Sequence, residues 1–488
     1  MAMWCTPLMR MRQFRTLQGA EEVRMEPDRQ PGAQVSARHT SGTAQHRRRS
    51  RWRSVGLPVA RFTLISLAVL LVSATALATV FVNQVSQRVT GNAVDISNGR
   101  TDGEQVRAAP AGVPEFDGGF TILMVGVDNA GNQSAAFGWR ESTLNDVNIL
   151  LHVADDHESA VVVSFPRDLV IPQPACTDAD TGTVSAAASA LPINGSFGRG
   201  GLGCVVDTVQ RLTGLPIPYA GVISFEGTVA MADAVGGVPI CLTEAIDDPY
   251  TGLDLPAGVS VVSGQTALSY LRSRHGVGDG SDLARISSQQ AYLSSLVRVL
   301  ASDSTLTDLP KLSGLATTAA TNLRLSESLA GIPTMVSMAL VLREIDLDRL
   351  LFVQYPALPN PADLAKLVPD PVLAGRLFTK IRAGESFALA PGSLGDSVEP
   401  TPGTALEGAP VAEATLPATA TATPTPVPPS TPDPPSTPDP PITPDPPITP
   451  DLPSTPDPPS TPDPGPEVIE GLRGQTAGQQ TCSVAYGG

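Results

Sequence analysis

Lysine is almost missing from this chain of 488 residues: Lys311, Lys366 and Lys380 are the only three, and none follows a glycine in the pattern of a phosphate loop. A P-loop nucleotidase is thereby excluded. Aromatic residues make up 4% of the sequence, and beyond residue 61 twenty basic residues face 44 acidic ones, a net charge of −24. So acidic a chain repels nucleic acid, and so few rings leave little for base stacking. The five histidines, at 39, 46, 152, 157 and 275, form no ligand cluster, and the five cysteines fit neither a zinc ribbon nor a CxxC redox site. No zinc centre is expected.

Positive charge collects instead at the N-terminus. Residues 1 to 61 hold twelve arginines and four acidic residues, and the 21 residues from Phe62 to Val82 carry no charge. That run is long enough to span a bilayer. The basic flank, dense from Arg47 to Arg53, keeps the leader cytoplasmic under the positive-inside rule and places everything after about Val82 outside. A cleaved signal peptide is the competing reading, because Ala76-Leu77-Ala78 resembles a processing site; the long leader and the length of the apolar run favour a retained anchor. Cys176, Cys204, Cys241 and Cys482 then lie where disulfides form, with Cys176 to Cys204 or to Cys241 as the leading pairing.

Five regions follow: a basic leader over 1–61, a transmembrane helix over 62–82, a juxtamembrane linker over 83–118, a folded domain over 119–395, and a Pro/Thr-rich low-complexity tail over 396–488. In the domain, short β-branched runs at Phe120 to Val127, Val147 to Val153, Ala160 to Phe165, Tyr219 to Phe225 and Val238 to Leu242 read as strands buried on both faces. Helical patterns at Cys204 to Leu212, Gly227 to Val235, Gly264 to Leu271 and Asp282 to Leu300 alternate with or follow them, so the domain is a layered α/β structure. The tail repeats a TPDPP-like unit marked by Asp433, Asp439, Asp445, Asp451, Asp457 and Asp463; it cannot build a core and reads either as a wall-spanning spacer or as a plain disordered tail.

Charged residues gather where these runs end. Asp128 closes the first strand and Asp146 opens the second, so antiparallel neighbours would bring two carboxylates to one rim, a pair able to hold Mg²⁺ or equally to form turns. Arg167 follows Pro166, which stops the third strand, and either leaves the sheet at that rim or pairs with its neighbour Asp168. Arg272 and Arg274 share a side only if the backbone is extended there, which Gly276, Gly278 and Gly280 allow. Asp282, Arg285 and Gln289 form one stripe of a helix capped by Ser281, whose N-terminus adds to the attraction for an anion; a solvated helix face is the bland alternative. Guanidinium forks beside carboxylates that suit a hard cation describe a phosphate-handling site.

The motifs GVD at 126–128, NDVNILLHV at 145–153, SFPRD at 164–168, a glycine-rich loop containing IN at 193–203, LTGLPI at 212–217, DAVGGV at 233–238, SGQTALSYLRSR at 263–274 and DLARISSQQ at 282–290 stand in the order typical of LytR-CpsA-Psr (LCP) proteins, which residues 119 to 300 resemble. That resemblance implies an extracytoplasmic three-layer α/β/α sandwich behind one membrane anchor. It implies a phosphotransferase that moves a glycopolymer from a polyprenyl-pyrophosphate carrier to a sugar hydroxyl of peptidoglycan, with an apolar cavity for the lipid. By the same resemblance Asp128 and Asp146 would hold Mg²⁺, with Mn²⁺ as the alternative. Arg167, Arg272, Arg274, Arg285 and Gln289 would bind the pyrophosphate, Asp282 would orient the guanidinium groups, and Arg167, Asp282 and Arg285 would carry the catalysis. Two departures stand out: Leu144 and Ser288 occupy positions where the family often has arginine, and Arg140 is the candidate to replace the first. A pyrophosphate hydrolase using the same residues, a non-catalytic wall-binding scaffold and a regulator are the rival readings.

Overall fold

The computed structural model describes residues 52–98, 116, 118–128, 143–179, 181–302, 305, 308–401 and 466–486. Two compact units divide the chain after Val72. The described part of the first is helical, with Phe62, Leu64, Leu67, Leu70 and Leu71 exposed. Helix α1 spans Trp52–Gly91, and its stretch from Arg61 onward is long and apolar enough to cross a membrane.

In the second unit α1 turns Val85 and Val89, one helical turn apart, into the protein core. The linker expected over 83–118 therefore starts later: the helix continues to Gly91, and Val94 then forms a parallel bridge to Ser326. Its remainder at 99–115 and at 117 lies outside the described residues.

The domain is built on a seven-stranded mixed sheet. Its strands are β1 (Phe120–Val127), β2 (Asn145–Val153), β3 (Ala160–Phe165), β4 (Tyr219–Ser224), β5 (Leu323–Leu325), β6 (Leu350–Gln354) and β7 (Gly474–Thr476), in the order β5-β4-β1-β2-β3-β6-β7. β1 runs parallel to β4, and β3 parallel to β6, while β2 lies antiparallel between β1 and β3. The C-terminal ends of β1, β3 and β4 and the start of β2 consequently share one rim.

Side chains alternate between the two faces of the sheet. Leu123, Val125, Leu150 and Val163 pack with Val205 and Val209 of α2 (Ser196–Thr213) and with Leu377 and Phe378 of α8 (Pro371–Ala383). Phe120, Val162, Tyr219 and Phe352 face the other way, toward Ala320 of α6 (Leu309–Asn322) and Met338 and Val341 of α7 (Ile332–Glu344). All six residues of β3 are buried, as a strand covered on both faces requires. The result is a three-layer α/β/α sandwich. Beside it a third apolar cluster joins α3 (Phe225–Val235), α4 (Gly264–Arg272) and Tyr292 of α5 (Asp282–Ala301) to the strand Val238–Leu242.

The expected tail over 396–488 is corrected at both ends. Residues 466–486 return to the fold: β7 pairs antiparallel with β6, and Thr481–Ser483 lies between Val238–Leu242 and Val398–Pro400 in a four-stranded sheet. The repeat-bearing stretch 402–465 lies outside the described residues, but the chain on its far side is part of the core, with Ile469 and Cys482 buried. Cys176 is bonded to Cys204, one of the two pairings expected, and Cys241 is bonded to Cys482 across 241 residues. That second bond fastens the C-terminal strand to its neighbour.

Candidate active site

The site grows from a β-bulge. Gly126 stands opposite Val147 but Val127 opposite Asn145, so Asp146 is an extra residue in β2. A bulge breaks the alternation and re-aims the side chain that it inserts. Asp146 thereby reaches the sheet rim and accepts a hydrogen bond from Nη1 of Arg167 at 2.9 Å. Next to it, buried Asn145 accepts from the N–H of Phe197 at 3.0 Å and donates to the carbonyl of Ile193 at 3.0 Å, which ties the glycine-rich loop to the start of β2.

Asp128 lies at the same rim. It is buried, and its Oδ1 accepts from the Leu144 N–H at 2.8 Å. Only Asp146 of the two lines the central cavity. Together they offer the hard oxygens that Mg²⁺ prefers, and the Asp146 side chain is 16% exposed. Among the described residues no group of three or more His, Cys, Asp or Glu converges on a metal position. Mg²⁺ keeps water and takes further ligands from a phosphate, so two carboxylates at one rim are compatible with it.

Asp282 organises the guanidinium groups. Its Oδ2 accepts the Arg167 backbone N–H at 2.9 Å, and its Oδ1 lies 2.7 Å from Nη2 of Arg285 and 3.7 Å from Nε of Arg167. Arg285 in turn donates to the carbonyl of Asp146 at 2.9 Å. Ser281 caps α5 through the Ala284 N–H, as its position in the sequence predicts. Burial opposes the charge on Arg167, but Asp146, Asp282 and Asp168 outweigh it and hold its pKa above the ordinary arginine value.

Arg272 and Arg274 converge because Ser273 between them is extended, with ψ 132°. Arg272 stacks on the Phe225 ring at 4.2 Å. Ser273 is fully buried and donates to Oδ2 of Asp248 at 2.6 Å. Gly278 and Gly280 then take positive φ, 53° and 79°, which turns the chain back into α5. Burial, followed by the neighbouring charges of Arg167 and Arg285, lowers the pKa of Arg274, and its buried Nε has no hydrogen-bond partner among the described residues. Gln289 donates to the carbonyl of Leu271 at 2.8 Å, so it fixes the end of α4 as well as lining the cavity.

These residues form the polar end of a cavity of about 590 Å³. Asp146, Arg167, Arg272, Arg274, Arg285 and Gln289 stand at that end, and the rest is lined by apolar side chains such as Met231, Leu268, Leu296, Leu315 and Ala319. Asp168 lies just outside, between Lys366 and Arg167. Burial would raise its pKa, but the Lys366 hydrogen bond and the charges of Arg167, Lys366 and Arg274 hold it below the ordinary carboxylate value.

The two departures acquire structural meaning. Leu144 serves Asp128 through its backbone, and Ser288 is buried with its Oγ 3.1 Å from Oγ of Ser397, beneath the strands that carry the C-terminus. Arg140 lies outside the described residues. The cavity lining, Asp248 and Lys366 were not legible as site residues; the rarity of lysine was the one signal for the last.

The LytR_cpsA_psr family profile matches residues 81–358, more than half of the chain. The cell wall biosynthesis protein LcpA of Corynebacterium glutamicum is 31% identical over 303 residues, covering 54% of this chain and 54% of the relative. The polyisoprenyl-teichoic acid–peptidoglycan teichoic acid transferase TagU of Enterococcus faecalis is 25% identical, over 37% of this chain and 53% of that one. The chain spans about half the length of the curated relatives it matches. Among solved structures, a LytR-Csp2A-Psr enzyme from Actinomyces oris aligns with a TM-score of 0.41 and 20% identity, over 54% of this chain and 89% of that one.

Proposed function

This chain belongs to the LytR-CpsA-Psr family, and on that premise we propose that it is a membrane-anchored transferase that moves a glycopolymer from a polyprenyl-diphosphate carrier to a sugar hydroxyl of peptidoglycan. The observation that carries the reading is the two-ended cavity, with four guanidinium groups at its polar end and an apolar interior between helices and sheet. Arginine forks match phosphate oxygens, and the apolar interior suits a prenyl chain. Relatives named polyisoprenyl-teichoic acid–peptidoglycan transferases support the same class of reaction. With the basic leader inside and the domain outside, α1 would hold the site near the lipid carrier.

In the proposed reaction the acceptor hydroxyl oxygen bonds to the sugar-proximal phosphorus, the bond from that phosphorus to the bridging oxygen breaks, prenyl phosphate leaves with the electron pair, and the hydroxyl proton passes to the departing phosphate. Arg167, Arg272, Arg274 and Arg285 orient the phosphates and stabilise the developing charge. Asp282 holds Arg167 and Arg285 in place. Asp128 and Asp146 would hold Mg²⁺, which when bound neutralises phosphate charge. Asp168, its pKa depressed, is a poor base, so the acceleration rests on positioning and electrostatics.

The test is release of prenyl phosphate from a synthetic prenyl-diphosphate glycan by the full chain in detergent, with and without Mg²⁺ and peptidoglycan. Release that requires both and disappears in Arg167→Ala is expected. Release without acceptor would make the protein a hydrolase, and binding without turnover would make it a scaffold.

A further inference from the structure

One of the three lysines stands beside the site on a hairpin of its own. Its strands are Ala357–Asn360 and Asp363–Pro369, and Lys366 lies on the second. The Leu367 N–H donates to the Asp168 carbonyl at 3.1 Å, and Leu169 and Leu367 form a parallel bridge. Main-chain bonds thus fix the hairpin to the turn after β3, and they deliver the Lys366 ammonium to Oδ1 of Asp168. The other oxygen of that carboxylate is 3.5 Å from Nε of Arg167. The ammonium and guanidinium groups therefore flank one carboxylate.

Arg167 lines the cavity and Lys366 does not; the two meet on opposite oxygens of Asp168, beside the lining rather than in it. An ammonium has three donors, and Asp168 engages one. The side chain of Lys366 is 32% exposed and that of Asp168 12%, so the lysine is the more accessible partner of the pair. No cationic side chain comes from positions 144 and 288, where Leu144 and Ser288 stand.

We infer that Lys366 is a further phosphate ligand of this site, which binds an oxygen of the diphosphate at its solvent end while Asp168 stays its second partner. The inference rests on the diphosphate reading given above and adds a residue to it. The bland alternative is that Lys366 only neutralises Asp168. A double-mutant cycle separates the two, because a counter-ion has nothing to neutralise once the carboxylate is gone.

The experiment is calorimetric titration of the full chain in detergent micelles with geranylgeranyl diphosphate. Lys366→Met is expected to weaken binding about tenfold, as for a charge-assisted hydrogen bond at a partly exposed position, and Lys366→Arg to recover most of it. In an Asp168→Asn background Lys366→Met should weaken binding by a similar factor. Disappearance of the penalty in that background, or wild-type affinity of Lys366→Met, overturns the inference while leaving the transferase reading standing. Failure of the unsubstituted chain to bind the probe overturns both.

Discussion

Replacing Asp248 tests how a buried residue outside the cavity sets the geometry within it. The carboxylate is fully buried, accepts from Ser273 Oγ at 2.6 Å and from the Tyr250 N–H at 3.0 Å, and Ser273 Oγ accepts in turn from the Gly276 N–H at 3.2 Å. Those bonds hold the extended residue between Arg272 and Arg274. Each hydrogen bond to a charged group contributes about 1.5–3 kcal/mol, so Asp248→Ala should cost about 3–6 kcal/mol. Asp248→Asn keeps the shape and one acceptor oxygen, and should cost about 2 kcal/mol, a fall of about 4 °C in Tm. With Ser273 less constrained, the affinity for a prenyl diphosphate should drop about tenfold, as for loss of one well-placed charged contact. Thermal melting and calorimetric titration of the same sample read the two effects separately. If Asp248→Asn melts lower but binds the diphosphate with unchanged affinity, the Ser273 tether does not set the arginine pair and the reasoning fails.

Gly276→Ala should mimic that variant, because an added Cβ would lie 2.5 Å from Cγ2 of Ile246 and 2.7 Å from Oγ of Ser273; equal melting temperatures for the glycine and alanine proteins would refute the packing. Filling the apolar cavity with Ala319→Phe should weaken binding of a long prenyl diphosphate at least about tenfold and spare inorganic diphosphate; equal losses for both ligands would show that the chain binds elsewhere. Removing residues 466–486 strips β7 from the sheet and leaves Cys241 unbonded, so the truncated chain should lose cooperative unfolding, while Cys241→Ser with Cys482→Ser should lose about 2–5 kcal/mol, read by denaturant titration. The depressed pKa of Asp168 gives a pH test. Its contribution to stability is present above its unfolded value of 3.8 and is lost as pH falls through the lower folded value, so the stability gap between the unsubstituted chain and Asp168→Asn should be full at neutral pH and close in strong acid; a gap that widens in acid would refute the pairing with Lys366 and Arg167.

Much of the architecture was legible in the sequence, because the relevant physics is local. Strands β1 and β3 fall where short β-branched runs stand, and α3, α4 and α5 where apolar residues recur at helical spacing. The uncharged run from Phe62 to Val82 is enough to mark a helix long enough to cross a membrane. The charged motifs sit where elements end, and six of the residues they name line one cavity. Composition misled at the C-terminus: the proline-rich repeat argues for a tail that runs to the last residue, but nothing local shows that Gly474–Thr476 pairs with β6 or that Cys482 meets Cys241.

Only the tertiary structure decided which charges meet. A one-residue bulge aims Asp146 at Arg167, and a carboxylate 115 residues further along the chain than Arg167 accepts its backbone N–H. Lys366 reaches Asp168 from 198 residues away, on a hairpin whose sequence has no site motif. The cavity is likewise a space between α3, α5, α6 and the sheet, and belongs to no single segment. Periodicity and turn chemistry act over a few residues and can be read in order along the chain. The pairing of distant charges and the shape of an enclosed space depend on how packed elements are placed against one another, which is fixed only when the core closes.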